Sequence, residues 1–185
     1  MNESELLDRI KKDPSEFSVL FNLYYRQIFG YIFRRTGDFD ESADIAADTF
    51  LKAFSHIGNF TCRGISVKVW LYRIATNELN QYFRNRKKHS SLTEKIEIEN
   101  KELFRNSLNE DRKEMETEMM KHEQFLSVLN ALKTLPLKYQ EVISLKYFEG
   151  NTNKEISMIL DIKEGTLKSL IFRGLEKLRK ICNQI

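Results

Sequence analysis

Between Thr152 and Ser169 the chain has little freedom in what it can fold into. Thr152 stands three residues before Glu155, the spacing of a capping box, in which hydroxyl and carboxylate each satisfy an orphan backbone donor at a helix start. Ile156, Ile159 and Leu160 then repeat at helical spacing, Asp161-Ile162-Lys163 make a three-residue turn, and Gly165 enters a second helix. Leu167, Leu170, Ile171, Leu175 and Leu178 form an inner stripe on that helix. Lys163, Lys168, Ser169, Arg173 and Lys177 are left facing outward. An apolar underside beneath a cationic top predicts a helix-turn-helix whose second helix fits a major groove. A purely structural helical hairpin is the alternative.

The rest of the chain reads as helical too. Among 185 residues there are only 7 Gly and 2 Pro, too few for a turn-rich β fold. Asp13-Pro14 starts a helix as N-cap and first helical residue, with Phe17, Leu20, Phe21, Tyr24, Ile28 and Ile32 at helical spacing, until Gly37-Asp38 breaks it. A second helix from about Asp40 carries Ala46, Phe50, Ala53, Phe54 and Ile57 on one face and ends at Gly58-Asn59. A polar loop precedes a third helix, expected from Val69 to Arg86, with Leu71, Ile74, Ala75, Leu79 and Tyr82 inside. From His89 the periodicity weakens into an acidic stretch, read as a linker. Helical pattern returns with Phe125, Val128, Leu129, Leu132 and Leu135, stops at Pro136, and resumes from Tyr139 to Phe148 before Gly150. The expected fold is all-α: two small helical domains, 1–88 and 121–185, joined by a flexible linker over 89–120, with the helix-turn-helix in the second.

Charge distribution says more than the net charge of +3. Residues 84–88 hold four basic side chains, and residues 163–180 hold six basic against two acidic. Residues 92–124 between them hold ten acidic and six basic. On the third helix, Trp70, Arg73, Asn77, Asn80, Gln81 and Arg84 mostly share an outward stripe, and the loop before it supplies Phe60, Arg63 and Lys68. Arg, Asn and Gln pair with phosphates and base edges, and aromatic rings stack unpaired bases, so this surface suits a melted strand. An ordinary solvated face, with Trp70 in the core, is the competing reading. On the second helix Asp44, Asp48, Thr49, Lys52 and His56 form an exposed face with Phe50 and Phe54 nearby, suited to protein docking or to plain solvation.

Catalysis has little support. His56, His89 and His122 lack metal or catalytic spacing, there is no phosphate-binding glycine loop or nucleophile elbow, and no metal or cofactor is expected. Cys62 and Cys182 form no CxxC and are expected as reduced cytosolic thiols. Met1 to Lys12 lacks the apolar core of a signal peptide and no apolar run reaches spanning length, so a cytoplasmic chain without membrane insertion is expected.

Two blocks of this sequence resemble the bacterial extracytoplasmic-function (ECF) sigma factors of the sigma-70 family. The first runs from Phe21-Asn22-Leu23-Tyr24 through Asp44-Ile45-Ala46-Ala47-Asp48-Thr49-Phe50 to Trp70-Leu71-Tyr72-Arg73-Ile74-Ala75-Thr76-Asn77. The second runs from Leu129 to Pro136, then Tyr139 to Gly150 and Gly165-Thr166-Leu167-Lys168-Ser169. The resemblance implies a subunit that binds core RNA polymerase, through its β′ and β subunits, and promoter DNA. It assigns Asp44, Asp48, Thr49, Phe50, Lys52 and His56 to polymerase docking. It assigns Phe60, Arg63, Lys68, Trp70, Arg73, Asn77, Asn80, Gln81 and Arg84 to the downstream (−10) element. It assigns Lys163, Glu164, Thr166, Lys168, Ser169 and Arg173 to the upstream (−35) element. It also implies an anti-sigma partner. An ordinary helix-turn-helix repressor or activator, and a helical adaptor with no nucleic-acid role, are the rival readings.

Overall fold

A computed structural model describes residues 3–62, 64–89 and 123–182 of the chain. Eight α-helices lie among them: α1 Glu3–Lys12, α2 Phe17–Thr36, α3 Phe39–His56, α4 Val67–His89, α5 Glu123–Thr134, α6 Leu137–Ile143, α7 Asn153–Leu160 and α8 Glu164–Cys182. No strand occurs among the described residues. The expected linker 89–120 lies outside them, apart from His89 at the end of α4.

Local chemistry sets most of the boundaries. Asp13 accepts the Ser15 N–H at 3.0 Å and caps a single 3-10 turn, Pro14–Glu16, that leads into α2. Helix α2 stops at Gly37, whose φ of 71° places it in the left-handed region that glycine enters without a Cβ clash, and its N–H closes onto the Phe33 carbonyl. Asp38 then caps α3 by accepting the Glu41 N–H at 3.1 Å. Pro136 separates α5 from α6, and α6 continues into a π turn, Ser144–Phe148.

The first four helices share a core of Leu20, Ile28 and Ile32 from α2, Ala46, Phe50 and Ala53 from α3, and Leu71, Ala75 and Leu79 from α4. Helix α1, whose periodicity is too short to stand out in the sequence, joins this core through buried Leu6, Leu7 and Ile10. Phe54, expected inside, is 45% exposed at the rim of α3. In the second half Tyr139, Val142, Ile143 and Leu145 pack with Ile156, Ile159 and Leu167. Gly174 of α8 lets that helix lie against α6: a Cβ there would come within 3.0 Å of Ile143 Cδ1 and 3.3 Å of Tyr139 Cβ. Helix α7 packs on α4, so the apolar cluster runs continuously through both halves.

Candidate nucleic-acid interface

The helix-turn-helix forms as its residues dictate. Thr152 Oγ1 accepts the Glu155 N–H at 3.2 Å, and the Glu155 carboxylate accepts the Thr152 N–H at 2.7 Å. That backbone hydrogen bond is the main reason the Glu155 carboxyl is held below its ordinary value. Helix α7 ends at Asp161, whose φ of 54° is left-handed; a short polar side chain tolerates this better than most. The Ile162 N–H returns to the Ser157 carbonyl at 3.1 Å. With Ile156, Ile159 and Leu167 buried between the two helices, Lys163, Glu164, Thr166, Lys168, Ser169 and Arg173 are all left exposed. The Ser169 hydroxyl donates to its own helix, to the Gly165 carbonyl at 3.1 Å.

The stripe on α4 is exposed at Arg73, Asn77, Asn80, Gln81 and Arg84. Phe60 and Trp70, both half-buried, stack on each other with centroids 4.4 Å apart and planes at 19°. The two rings therefore make one aromatic wall where the loop meets α4. Three other members of the set touch the second half of the chain. Lys68 Nζ reaches the Glu149 carbonyl at 3.5 Å and sits 5.7 Å from the Tyr72 ring centroid. Asn80 Nδ2 donates to Glu141 at 3.3 Å, and Arg73 lies 4.0 Å from the Asp161 carboxylate. Arg63 lies outside the described residues.

On α3, Asp44, Asp48, Lys52 and His56 are exposed. Lys52 pairs with Glu78 of α4 at 2.6 Å, and His56 Nδ1 lies 2.8 Å from the Lys52 carbonyl. Thr49 corrects the expectation of an exposed position. It is fully buried and donates its hydroxyl to the Ile45 carbonyl at 2.8 Å, because it falls between Ala46 and Phe50 on the inward side. Phe50 is core as well, edge-on to Phe21 at 4.9 Å. Leu51 and Phe54, at 64% and 45% exposed, are large apolar groups that this helix presents.

The junction between the halves is built on charges that helical spacing does not single out. Glu149, at the end of the π turn, receives a charged hydrogen bond from Arg34 and the Tyr72 hydroxyl at 2.6 Å. The side chains of Arg34 and Glu149 are only 14% and 5% exposed. Nearby, Arg35 is fully buried 3.9 Å from Glu141. Burial pushes the Glu141 carboxyl up, and Arg35 offsets only part of that. Burial, reinforced by Glu149, also raises the Tyr72 phenol, which therefore stays a donor. A buried ion pair of this kind stabilises little relative to an apolar contact, but removing one partner strands the other.

A capped helix-turn-helix with an open cationic helix, joined to a four-helix half that carries a polar and aromatic stripe, defines a two-part helical DNA-recognition protein. Residues 20–89 match the Sigma-70 region 2 family and residues 125–178 match Sigma-70, region 4. The chain is 30% identical over 181 residues to the RNA polymerase sigma-H factor of Pseudomonas aeruginosa, covering 96% of this chain and 92% of that protein. It is 31% identical over 175 residues to the ECF RNA polymerase sigma factor SigW of Bacillus subtilis, covering 94% and 93%. In fold it resembles the sigma factor RpoE solved with the anti-sigma factor NepR from Bartonella quintana, with a TM-score of 0.66, 21% identity and coverage of 91% and 97%. It also resembles CnrH solved with the cytosolic domain of CnrY, with a TM-score of 0.65, 17% identity and coverage of 98% and 97%. The chain belongs to the sigma-70 family, among its ECF RNA polymerase sigma factors, and its function is promoter recognition. Among the described residues no helix is long and apolar enough to cross a membrane, and no cluster of side chains is suited to a metal ion.

Proposed function

We propose that residues 1–88 dock on core RNA polymerase and open the −10 element, and that residues 121–185 read the −35 element, with 89–120 joining them. The observation that carries this reading is the pairing of two differently built surfaces in one chain. The cationic face of α8 and of the turn before it, with Lys163, Thr166, Lys168 and Arg173 exposed, suits an intact major groove. The wall of Phe60 and Trp70 beside Arg73, Asn77, Asn80, Gln81 and Arg84 suits a single strand, with rings on bases and polar groups on phosphates. Asp44, Asp48, Lys52 and His56, with Leu51 and Phe54 exposed on the same helix, supply the docking surface, while Thr49 and Phe50 shape it from beneath.

Duplex opening costs about 1.4 kcal/mol per base-pair step. Stacking one or two freed bases returns about 1–3 kcal/mol each, enough to nucleate the opening without chemistry by the chain itself. The role proposed for the chain is that of a non-catalytic, cytoplasmic subunit. Elements about 25 base pairs apart along duplex DNA are separated by roughly 85 Å. Arg73 and Asp161 lie 4.0 Å apart here, so the two halves must part to reach both elements. An anti-sigma partner is consistent with the similarity to sigma factors solved in such complexes.

Run-off transcription with purified core polymerase, followed by mapping of start sites, tests the reading. New, sequence-specific starts that depend on this chain are expected, and their absence overturns it. A gel shift on palindromic duplex without core enzyme would favour an ordinary repressor or activator.

A further inference from the structure

The N-terminal helix α1 lies outside the matched sigma regions, which begin at residue 20, yet it holds both ends of the loop that leads into α4. At one end, Lys11 Nζ donates to the Phe60 carbonyl at 3.0 Å. At the other, the Glu3 carboxylate accepts the Val67 N–H at 3.1 Å. Glu3 and Lys11 are eight positions apart on the helix, about 12 Å along its axis, so α1 spans the gap between the loop ends as a splint.

The second contact answers a need of α4. The first N–H groups of a helix have no partner within it, and its start carries a partial positive charge. Helix α4 has no acidic residue in its first turn. Ser66 Oγ accepts the Val69 N–H at 3.2 Å, and Glu3 supplies the anion that satisfies Val67 from outside the helix. The other Glu3 oxygen accepts from the Tyr24 hydroxyl of α2 at 3.3 Å, so the carboxylate is fixed against the first-half core. Burial and then Glu3 push the Tyr24 phenol up to about 12. At Cys62, within the loop, burial and then Glu3 raise the thiol while Lys11 opposes them, so both ends of α1 are felt there. Helix α1 cannot swing away cheaply. Leu6, Leu7 and Ile10 are buried, and Arg9 pairs with Glu16 at 2.6 Å across the following turn.

We propose that Glu3 and Lys11 are positioning residues for base capture at the −10 element. They fix the separation of Phe60 and the start of α4, and so the aromatic wall that Phe60 and Trp70 form. This inference rests on the assignment of that wall to the unpaired strand.

The test uses holoenzyme assembled from core polymerase and the full chain, on a promoter located by start-site mapping. Glu3→Ala, Glu3→Gln, Lys11→Met and Lys11→Arg are compared with the parent and with Phe60→Ala. Permanganate reactivity of thymines in the −10 element reports opening, and the ratio of opening on parent and base-substituted promoters reports discrimination. Loss of a helix-capping interaction of typical size corresponds to a drop of about fivefold in opening for Glu3→Ala. Lys11→Met is expected to lower discrimination as well. Glu3→Gln, whose carbonyl still accepts the Val67 N–H, and Lys11→Arg, which still donates to Phe60, should recover most of the loss. Co-elution with core and binding of −35 duplex should stay at parental levels in all of them.

Parental opening and discrimination in Glu3→Ala and Lys11→Met overturn the proposal if Phe60→Ala is defective. A parallel loss of helicity and core binding overturns it too, since α1 would then be merely structural. If Phe60→Ala itself opens normally, the base-capture reading fails, and this proposal fails with it.

Discussion

The two surfaces proposed for DNA differ in how much of the protein they touch. On α8 and the turn before it, every candidate residue from Lys163 to Arg173 is exposed, and the Ser169 hydroxyl donates back to its own helix. On α4 three of the candidates, Lys68, Arg73 and Asn80, reach groups of the second half, two of them carboxylates. One face is ready as folded. The other is bordered by acidic groups that a phosphate backbone would have to displace. The difference follows from where each helix buries its apolar side: α8 packs within its own half, whereas α4 packs on α3 with one side and on α7 with another.

The largest test of this contrast is Glu149→Ala. It strands Arg34 in a nearly buried site and removes the acceptor of Tyr72, at a cost of about 3 kcal/mol to the contact between halves. Small-angle scattering should show a larger radius of gyration, and the free chain should bind single-stranded −10 DNA more tightly, with −35 duplex binding unchanged. An unaltered radius would show that the halves are held by apolar packing alone.

Next in size is the cap of α7. Thr152→Ala should cost about 1 kcal/mol, read as a lower urea midpoint, and should weaken −35 binding because the turn before α8 loosens. The Glu155 carboxyl has a folded value below its ordinary 4.5, so its stabilisation is complete above 4.5 and fades as pH falls through the lower value. The gap in urea midpoint between the parent and Glu155→Gln should therefore close on acidification. Glu141, with a folded value raised above 4.5, has the opposite sign. Its ionised form costs stability above that raised value, so the cost should shrink as pH falls toward 4.5. Glu141→Gln should remove that part of the pH dependence.

Smaller effects separate the two faces directly. Neutralising Lys168 and Arg173 together should reduce the salt slope of −35 duplex binding by about 2, one for each phosphate that goes unneutralised. The same duplex should not register Arg73→Ala. Its ion pair with Asp161 is exposed on both sides, at 44% and 88%, and contributes well under about 1 kcal/mol to the closed arrangement. Its expected effect appears only in −10 opening by the holoenzyme.

Much of this was legible in residues close together along the chain. The capping box at Thr152 and Glu155 and the break at Gly37 are contacts within four residues, and periodicity over a few turns found α2 to α4 and α8. The candidate surface was legible as polar residues at helical spacing, though helical spacing placed Thr49 outward when its neighbours Ala46 and Phe50 carry it inward. Helix α1 is not legible in the sequence because its three buried positions, Leu6, Leu7 and Ile10, sit in a short, highly charged segment.

The sequence by itself determined the helices and the helix-turn-helix, since hydrogen bonds and apolar repeats within a few residues dictate them. Only the tertiary structure decided which polar groups are already engaged. Arg34 and Glu149 are 115 positions apart, and Glu3 and Val67 are 64 apart. No local pattern encodes such a pairing, because it exists only once separate apolar faces have been buried together and the remaining charges must find partners at the seam.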